Sequence, residues 1–371
     1  MPTYAETLAA LPAFRNEVAR RQQSEPADAR GTVAVRGAFS ALATPLSNIH
    51  ATGVGIRQRG GRYVPEEVVL KLFVFDKVEA EALGEPPVGA TWRGFPVDVE
   101  PLPVQLALEG VRGAQTVAAP AVPLEAPVEE VPPYRQRQRP IVGGLSISPI
   151  NVQYVGTLGC FVSRSGLDGG EEVFALSNNH VLADVDRLPL GTPIVQPGPE
   201  QSPATPPEDV FAALSAVIPL RFPTGLDVAP VNEFDAAIAL VTDRALIQTG
   251  VIFGGVPYAP SRVVPPVPGM RVVKAGRTTG ITRGLVTATN VDGVQVNYGT
   301  YQAPRLAVFN ETIEIASPDE DTPFSMPGDS GSVVVEEATG HPVALLFAGD
   351  GRHTTTCDLG ALCRQLRAWP V

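Results

Sequence analysis

Hydrophobic positions along this chain change their spacing twice. Near the N-terminus, Tyr4, Leu8, Leu11 and Val18 recur at helical intervals, and Thr3 with Glu6 matches a capping box. Pro12 is expected to kink or restart that helix, because proline lacks the N–H an interior turn requires. After this helical segment (1–47), "GVGIRQRGGRYVPEEVVLKLFVFDKV" reads as strand, Gly-Gly turn, strand. "KVEAEAL" suggests a short helix and "GFPVDVEPL" another strand, which makes 48–104 a small α+β module. Residues 105–140 are so rich in proline and alanine that they suit an extended linker.

From Ile141 the pattern becomes one of short apolar segments between Gly/Pro turn signals. Examples are "NVQYVGTLGCFVSR", "EEVFALSNNHVLA", "DAAIALV", "MRVVKAG", "VQVNYG", "SGSVVVEE" and "PVALLFAGD". Many short, evenly punctuated strands predict an all-β barrel or sandwich over 141–371. The chain closes with "DLGALCRQLRAW", where Leu359, Leu362, Cys363, Leu366 and Trp369 line one face of a predicted helix.

Composition narrows the class. The 371 residues are 44% hydrophobic and 18% charged, the balance of a packed protein, and 36 glycines with 38 prolines favour turns and short strands. A formal charge of −11 argues against nucleic acid as a partner, since phosphate contacts need clustered cations. The one compact basic run, "RQRQR" (Arg135 to Arg139), reads as a solvated linker. The opening residues lack the basic n-region and apolar core of a secretory signal, and no stretch approaches the roughly 20 apolar residues that cross a bilayer. Three cysteines, Cys160, Cys357 and Cys363, are too few for a disulfide framework and read as reduced thiols of a cytoplasmic protein.

Candidate chemistry sits at three strand ends. His180, in "FALSNNHVLAD", follows an apolar strand where Asn178 and Asn179 can bend the chain; taken alone, it reads more readily as a structural histidine than as a base. Of the other histidines, His50 precedes a strand, and His341 and His353 fall in polar, turn-like contexts. Asp235 opens "FDAAIALV"; a carboxylate ahead of a buried strand is costly unless paired, and an imidazole N–H would suit it, although a strand-capping aspartate looks the same. Ser330 lies in "PGDSGS", where flanking glycines free the backbone and let a carbonyl approach the N–H groups of Gly328 and Ser330. Such an oxyanion donor is worth about 2.7–4 kcal/mol. The residues run base, acid, nucleophile at separations of 55 and 95, an order that belongs to double-barrel hydrolases.

"LSNNHVL", "DAAIALV" and "PGDSGS" together resemble the catalytic segments of chymotrypsin-like (trypsin-fold) serine proteases, and "KAGRTTGITRGLVT" resembles a hairpin of their bacterial extracellular members. The N-terminal "GVGI…FV…K" pattern resembles that of bacterial trypsin-like proteins related to the plant narrow-leaf protease. The resemblance covers most of 141–371 and, more loosely, 48–104. It implies a chymotrypsin-like double β-barrel with a C-terminal helix and a polypeptide substrate. In that scheme His180 is the general base, Asp235 orients it, Ser330 attacks, and no metal or other cofactor takes part. Phe324 stands where trypsin has its specificity acid, so a preference for basic residues is not implied; a core role suits it better. "RPIVGG" resembles an activation site at which a freed Ile141 amine would pair with Asp329; a plain first barrel strand is the alternative, with another partner for Asp329. Two rivals stay open: a peptide-binding pseudoprotease, and a protease acting mainly on its own linker. Self-association is one of several roles open to the N-terminal module.

Overall fold

The computed structural model describes residues 1–23, 48–75, 89–107, 131–152, 154–165, 170–199, 207–224, 229–300, 302–319 and 321–371. Six of the strands after Gly269 form a ring. Arg271–Gly276 pairs with Gly280–Asp292, which pairs with Thr312–Ala316, and that with His353–Asp358. His353–Asp358 pairs with Pro342–Gly349, then Val333–Glu336, which returns to Arg271–Gly276. Six antiparallel pairings thus close a barrel. Val272, Val286, Ile315, Phe324 and Leu346 form one of its apolar clusters, so Phe324 is a core residue.

An earlier set of strands curls into a second, open barrel. Its path runs from Cys160–Ser165 through Glu171–Ser177, Ala237–Val241, Val210–Val217 and Pro193–Val195 to Ser146–Pro149, around Ile147, Phe161, Phe211 and Leu214. The protein is therefore all-β, built on two barrels, as the turn-punctuated pattern predicts. The closing helix, Leu359–Leu366, is capped by Asp358, whose carboxylate accepts from the Ala361 N–H at 2.6 Å. It ends at Arg367, in the left-handed conformation, so Trp369 does not extend its face. Trp369 instead starts a two-residue strand on the open barrel. Cys160, Cys357 and Cys363 are all free and buried, Cys357 in the strand His353–Asp358.

The N-terminal residues join this framework by hydrogen bonds. Helix Tyr4–Gln23 carries the expected capping box, with Thr3 N donating to Glu6 at 2.7 Å and Glu6 N donating to Thr3 Oγ1 at 3.3 Å. It runs unbroken through Pro12, contrary to expectation. Leu11, Phe14 and Val18 are buried against Val54, Leu70 and Leu72, and that packing offsets the lost hydrogen bond. The hairpin Ile49–Arg59 and Arg62–Val74 turns at Gly60–Gly61 and adds directly to the closed barrel, Thr52, Val54 and Gly55 pairing with Asp292, Thr289 and Ala288. Gln105–Ala107 pairs with both Pro342–Gly349 and Val294–Asn297. The helix expected at "KVEAEAL" and residues 108–130 lie outside the described residues.

Two polar features depart from the sequence reading. The "RQRQR" run is anchored: Arg135 donates to the Arg277 carbonyl at 2.8 Å, Arg137 pairs with Asp209 at 2.7 Å, and Arg139 donates to Gln196 at 2.5 Å. Buried Asp209 and Gln196 need these partners, which a solvated linker would not supply. His353 is in a strand rather than a turn, and is buried with Nε2 3.2 Å from Glu100 and Nδ1 3.1 Å from Asp350. Lys71, fully buried, meets Glu100 as well and lies 2.9 Å from Asp98. This network spans the seam between the N-terminal strands and the closed barrel. Burial pushes the Glu100 carboxyl up, but the Lys71 ammonium and His353 outweigh it and hold it at about 2. Burial pushes His353 down, but the Asp350 and Glu100 carboxylates overcome that and raise it to about 9.

Candidate active site

His180 stands just past the end of strand Glu171–Ser177, on a single helical turn, Asn179–Leu182. Asp235 precedes the neighbouring strand Ala237–Val241, and the antiparallel register pairs Ser177 with Ala237. Both residues therefore emerge at the same end of the open barrel. The two asparagines do more than bend the chain: Asn178 Nδ2 donates to the Asp235 carbonyl at 2.7 Å, and Asn179 Nδ2 donates to Asp186 at 2.6 Å and to the Ile218 carbonyl at 2.8 Å.

The Asp235 carboxylate grips the histidine twice. Oδ2 lies 2.5 Å from His180 Nδ1, and Oδ1 accepts from the His180 backbone N–H at 3.2 Å. A third donor reaches it from far along the chain: the Tyr298 hydroxyl donates to Oδ2 at 2.7 Å. His180 and Asp235 are each 0% exposed, so their mutual hydrogen bonds answer the desolvation that burial imposes.

Ser330 comes from the closed barrel, on the turn before Val333–Glu336. Its carbonyl accepts from Thr157 N at 2.8 Å, and the Gly331 N–H donates to the Leu346 carbonyl at 2.9 Å. A Cβ on Gly331, where φ is +92°, would sit 2.1 Å from Ser177 Oγ and 2.2 Å from the Thr157 carbonyl. The serine turn is thus seated on Ser177, three residues before His180, and only glycine permits so close an approach. Gly328 has φ +99°, and a Cβ there would meet Thr278 Oγ1 at 2.5 Å; its carbonyl accepts from Thr157 Oγ1 at 2.9 Å. Ser330 is itself 0% exposed.

Asp329, between them, is fully buried and heavily bonded. Oδ1 accepts from the N–H groups of Thr278 (2.8 Å) and Thr279 (3.2 Å). Oδ2 accepts from Met326 N (3.0 Å) and Thr279 Oγ1 (2.7 Å), with the Lys274 ammonium 3.4 Å away. Burial pushes the Lys274 ammonium down, and Asp329 opposes that shift. Ile141, meanwhile, opens a buried strand, Ile141–Gly143, paired with Ile247–Ile252. Of the two readings of "RPIVGG", this geometry is that of the plain strand, with a lysine at the acid.

Four residues to which sequence reasoning assigns no partner thus shape the site: Thr157, Asn178, Lys274 and Tyr298. Lys274 and Asn178 lie inside motifs singled out for other reasons, whereas a tyrosine closing "VQVNYG" carries no local mark. An open cavity of about 1000 Å³ lies away from this site, between the Gly60–Gly61 turn, residues 316–319 and 321–323, and Arg352.

No family model matches the chain, and no curated protein matches it. Among solved structures it is similar to protease A of Thermobifida fusca, at 14% identity and a TM-score of 0.42 over 62% of this chain and 98% of that one. It is similar also to a glutamic acid specific serine protease, at 18% identity and a TM-score of 0.41 over 62% of this chain and 100% of that one. An α-lytic protease homolog aligns over 62% of this chain and 98% of its own, at 18% identity and a TM-score of 0.39.

Proposed function

We propose that this chain is a serine endopeptidase that cleaves polypeptides through an acyl-enzyme on Ser330. Ser330 Oγ attacks the scissile carbonyl carbon while His180 Nε2 takes its proton. The tetrahedral oxyanion accepts hydrogen bonds from the Gly328 and Ser330 N–H groups. The imidazolium then protonates the leaving amine as the C–N bond breaks; water, deprotonated by His180, attacks the acyl carbon, and the acid leaves as the imidazolium returns that proton to Ser330 Oγ. Asp235 remains a carboxylate throughout, holding the Nδ1–H tautomer and offsetting the imidazolium charge. Residues 141–371 form the hydrolase unit in this proposal, and 48–104 an added module.

The observation that carries the reading is the His180–Asp235 pair at 2.5 Å beside a Gly-Asp-Ser-Gly turn seated on Ser177 and Thr157. A fluorophosphonate probe tests it. Labelling of the wild type that disappears in Ser330→Ala supports the endopeptidase, and a peptide library then reads the preferred cleavage sites. Burial of both Ser330 and His180 favours a second reading, a peptide-binding protein that cuts nothing because its serine is inaccessible. An unlabelled wild type is the outcome of that reading.

A further inference from the structure

We propose that Tyr298 is a positioning residue of the catalytic dyad, its hydroxyl orienting Asp235 and tuning the basicity of His180; this rests on the triad reading above. The two donors converge on one atom. Asp235 Oδ2 receives His180 Nδ1 at 2.5 Å and the Tyr298 O–H at 2.7 Å, while Oδ1 receives the His180 backbone N–H at 3.2 Å. With both oxygens committed, the carboxylate cannot rotate about its Cβ–Cγ bond without breaking a buried hydrogen bond. The tyrosine is 7% exposed, and its ring packs edge-on to His180 at 6.0 Å and to Phe222 at 5.7 Å, with Phe309 at 6.3 Å.

Tyr298 follows the strand Val294–Asn297, which belongs to the sheet of the closed barrel, whereas His180 and Asp235 stand on the open one. The O–H therefore bridges the two halves at the dyad. Gln105–Ala107 holds that same strand from its other side, Val296 pairing with Gln105 and Asn297 with Leu106, so chain N-terminal to the barrels supports the tyrosine.

The electrostatic consequence has a definite sign. The O–H dipole draws carboxylate charge away from the ring, so removing it leaves a more negative oxygen facing Nδ1 and stabilises the imidazolium. The other ionisable groups nearby are the Cys357 thiol, which senses the Asp235 charge, and Asp184, Asp186 and Arg187 after the histidine turn. Arg305 stacks on Phe222 at 3.6 Å and senses those same three groups. None of these changes when one hydroxyl is deleted.

Tyr298→Phe is the test, because it removes the O–H and keeps the ring. The expected result is a kcat/KM lower by about tenfold with KM unchanged, as for loss of one hydrogen bond to a charged group. The acid limb of the rate profile should move to higher pH by up to about one unit. The His180 titration followed by nitrogen-15 NMR, with His180→Gln identifying the signal, should move the same way and needs no turnover. A lowered melting temperature with the His180 titration unmoved would overturn the proposal and leave only a packing role. A wild type that takes no fluorophosphonate overturns the endopeptidase reading alone, since the titration still decides whether Tyr298 tunes the ring.

Discussion

The Lys274 ammonium lies 3.4 Å from the Asp329 carboxylate, with both side chains fully buried. Thr279 Oγ1 ties them further, accepting from Lys274 at 2.6 Å and donating to Asp329 at 2.7 Å. Asp329 adjoins both proposed oxyanion donors, so this pair holds the turn that presents them. The Lys274 cation occupies the place beside Asp329 that a liberated Ile141 amine would take in the activation reading. Lys274→Met should leave a buried carboxylate without its counter-ion and cost about 3–5 kcal/mol. Denaturant unfolding measures the loss, and fluorophosphonate labelling should slow in whatever folded protein remains. Labelling of wild-type protein whose Ile141 is still internal, checked by N-terminal sequencing, is the companion expectation.

Asp235→Asn preserves the shape of the dyad but presents an amide where His180 Nδ1 needs an acceptor. The stability should change little, while kcat falls by roughly 10⁴ as the ring loses its productive tautomer. Peptide turnover measured alongside a thermal melt separates this from misfolding. A variant retaining most of its activity would remove Asp235 from the mechanism.

The seam network makes stability depend on pH, with signs that can be worked out. His353 is raised from 6.5 to about 9, so its contribution is complete below pH 6.5 and is lost as pH rises through about 9. Glu100 is lowered from 4.5 to about 2, so its share is present above 4.5 and is lost as pH falls through about 2. Glu314, raised by burial from 4.5 to about 7 despite hydrogen bonds from Thr355 and Thr312, stabilises below 4.5 and loses that share by about 7. Between pH 6.5 and 9, His353 should contribute a decline of up to about 1.4 kcal/mol per unit. Denaturant midpoints across that range should therefore fall in the wild type and flatten in His353→Gln; parallel curves would exclude His353 as the source.

Removing residues 1–104 should abolish soluble protein rather than release activity. The truncation strips the strand paired with Thr289 and Asp292 and exposes an unpaired edge on Gly280–Asp292. It also takes away Lys71 and Glu100, leaving His353 without one of its buried carboxylates. Soluble yield and peptide turnover of the truncated and full-length chains provide the comparison. A truncated chain that stays soluble and turns over peptide faster would instead mark the N-terminal residues as an inhibitor.

Much of this arrangement is readable along the chain, because local physics writes it there. Alternating apolar runs between glycines and prolines announce the strands, and Thr3 with Glu6 announces the helix start. His180, Asp235 and Ser330 each stand at a strand end in a distinctive segment. What the sequence does not disclose are pairings that close only when distant strands meet. Tyr298 reaches Asp235 across 63 residues and His353 reaches Glu100 across 253, and neither carries a local pattern. Pro12 and the arginine run depart from their local reading for the same reason. Propensity and charge are properties of a segment, whereas burial against Leu70 or pairing with Asp209 belongs to the folded whole. Chain-local patterning determined the elements and the candidate chemistry; tertiary contact, where desolvation makes every polar partner count, decided which groups hold one another.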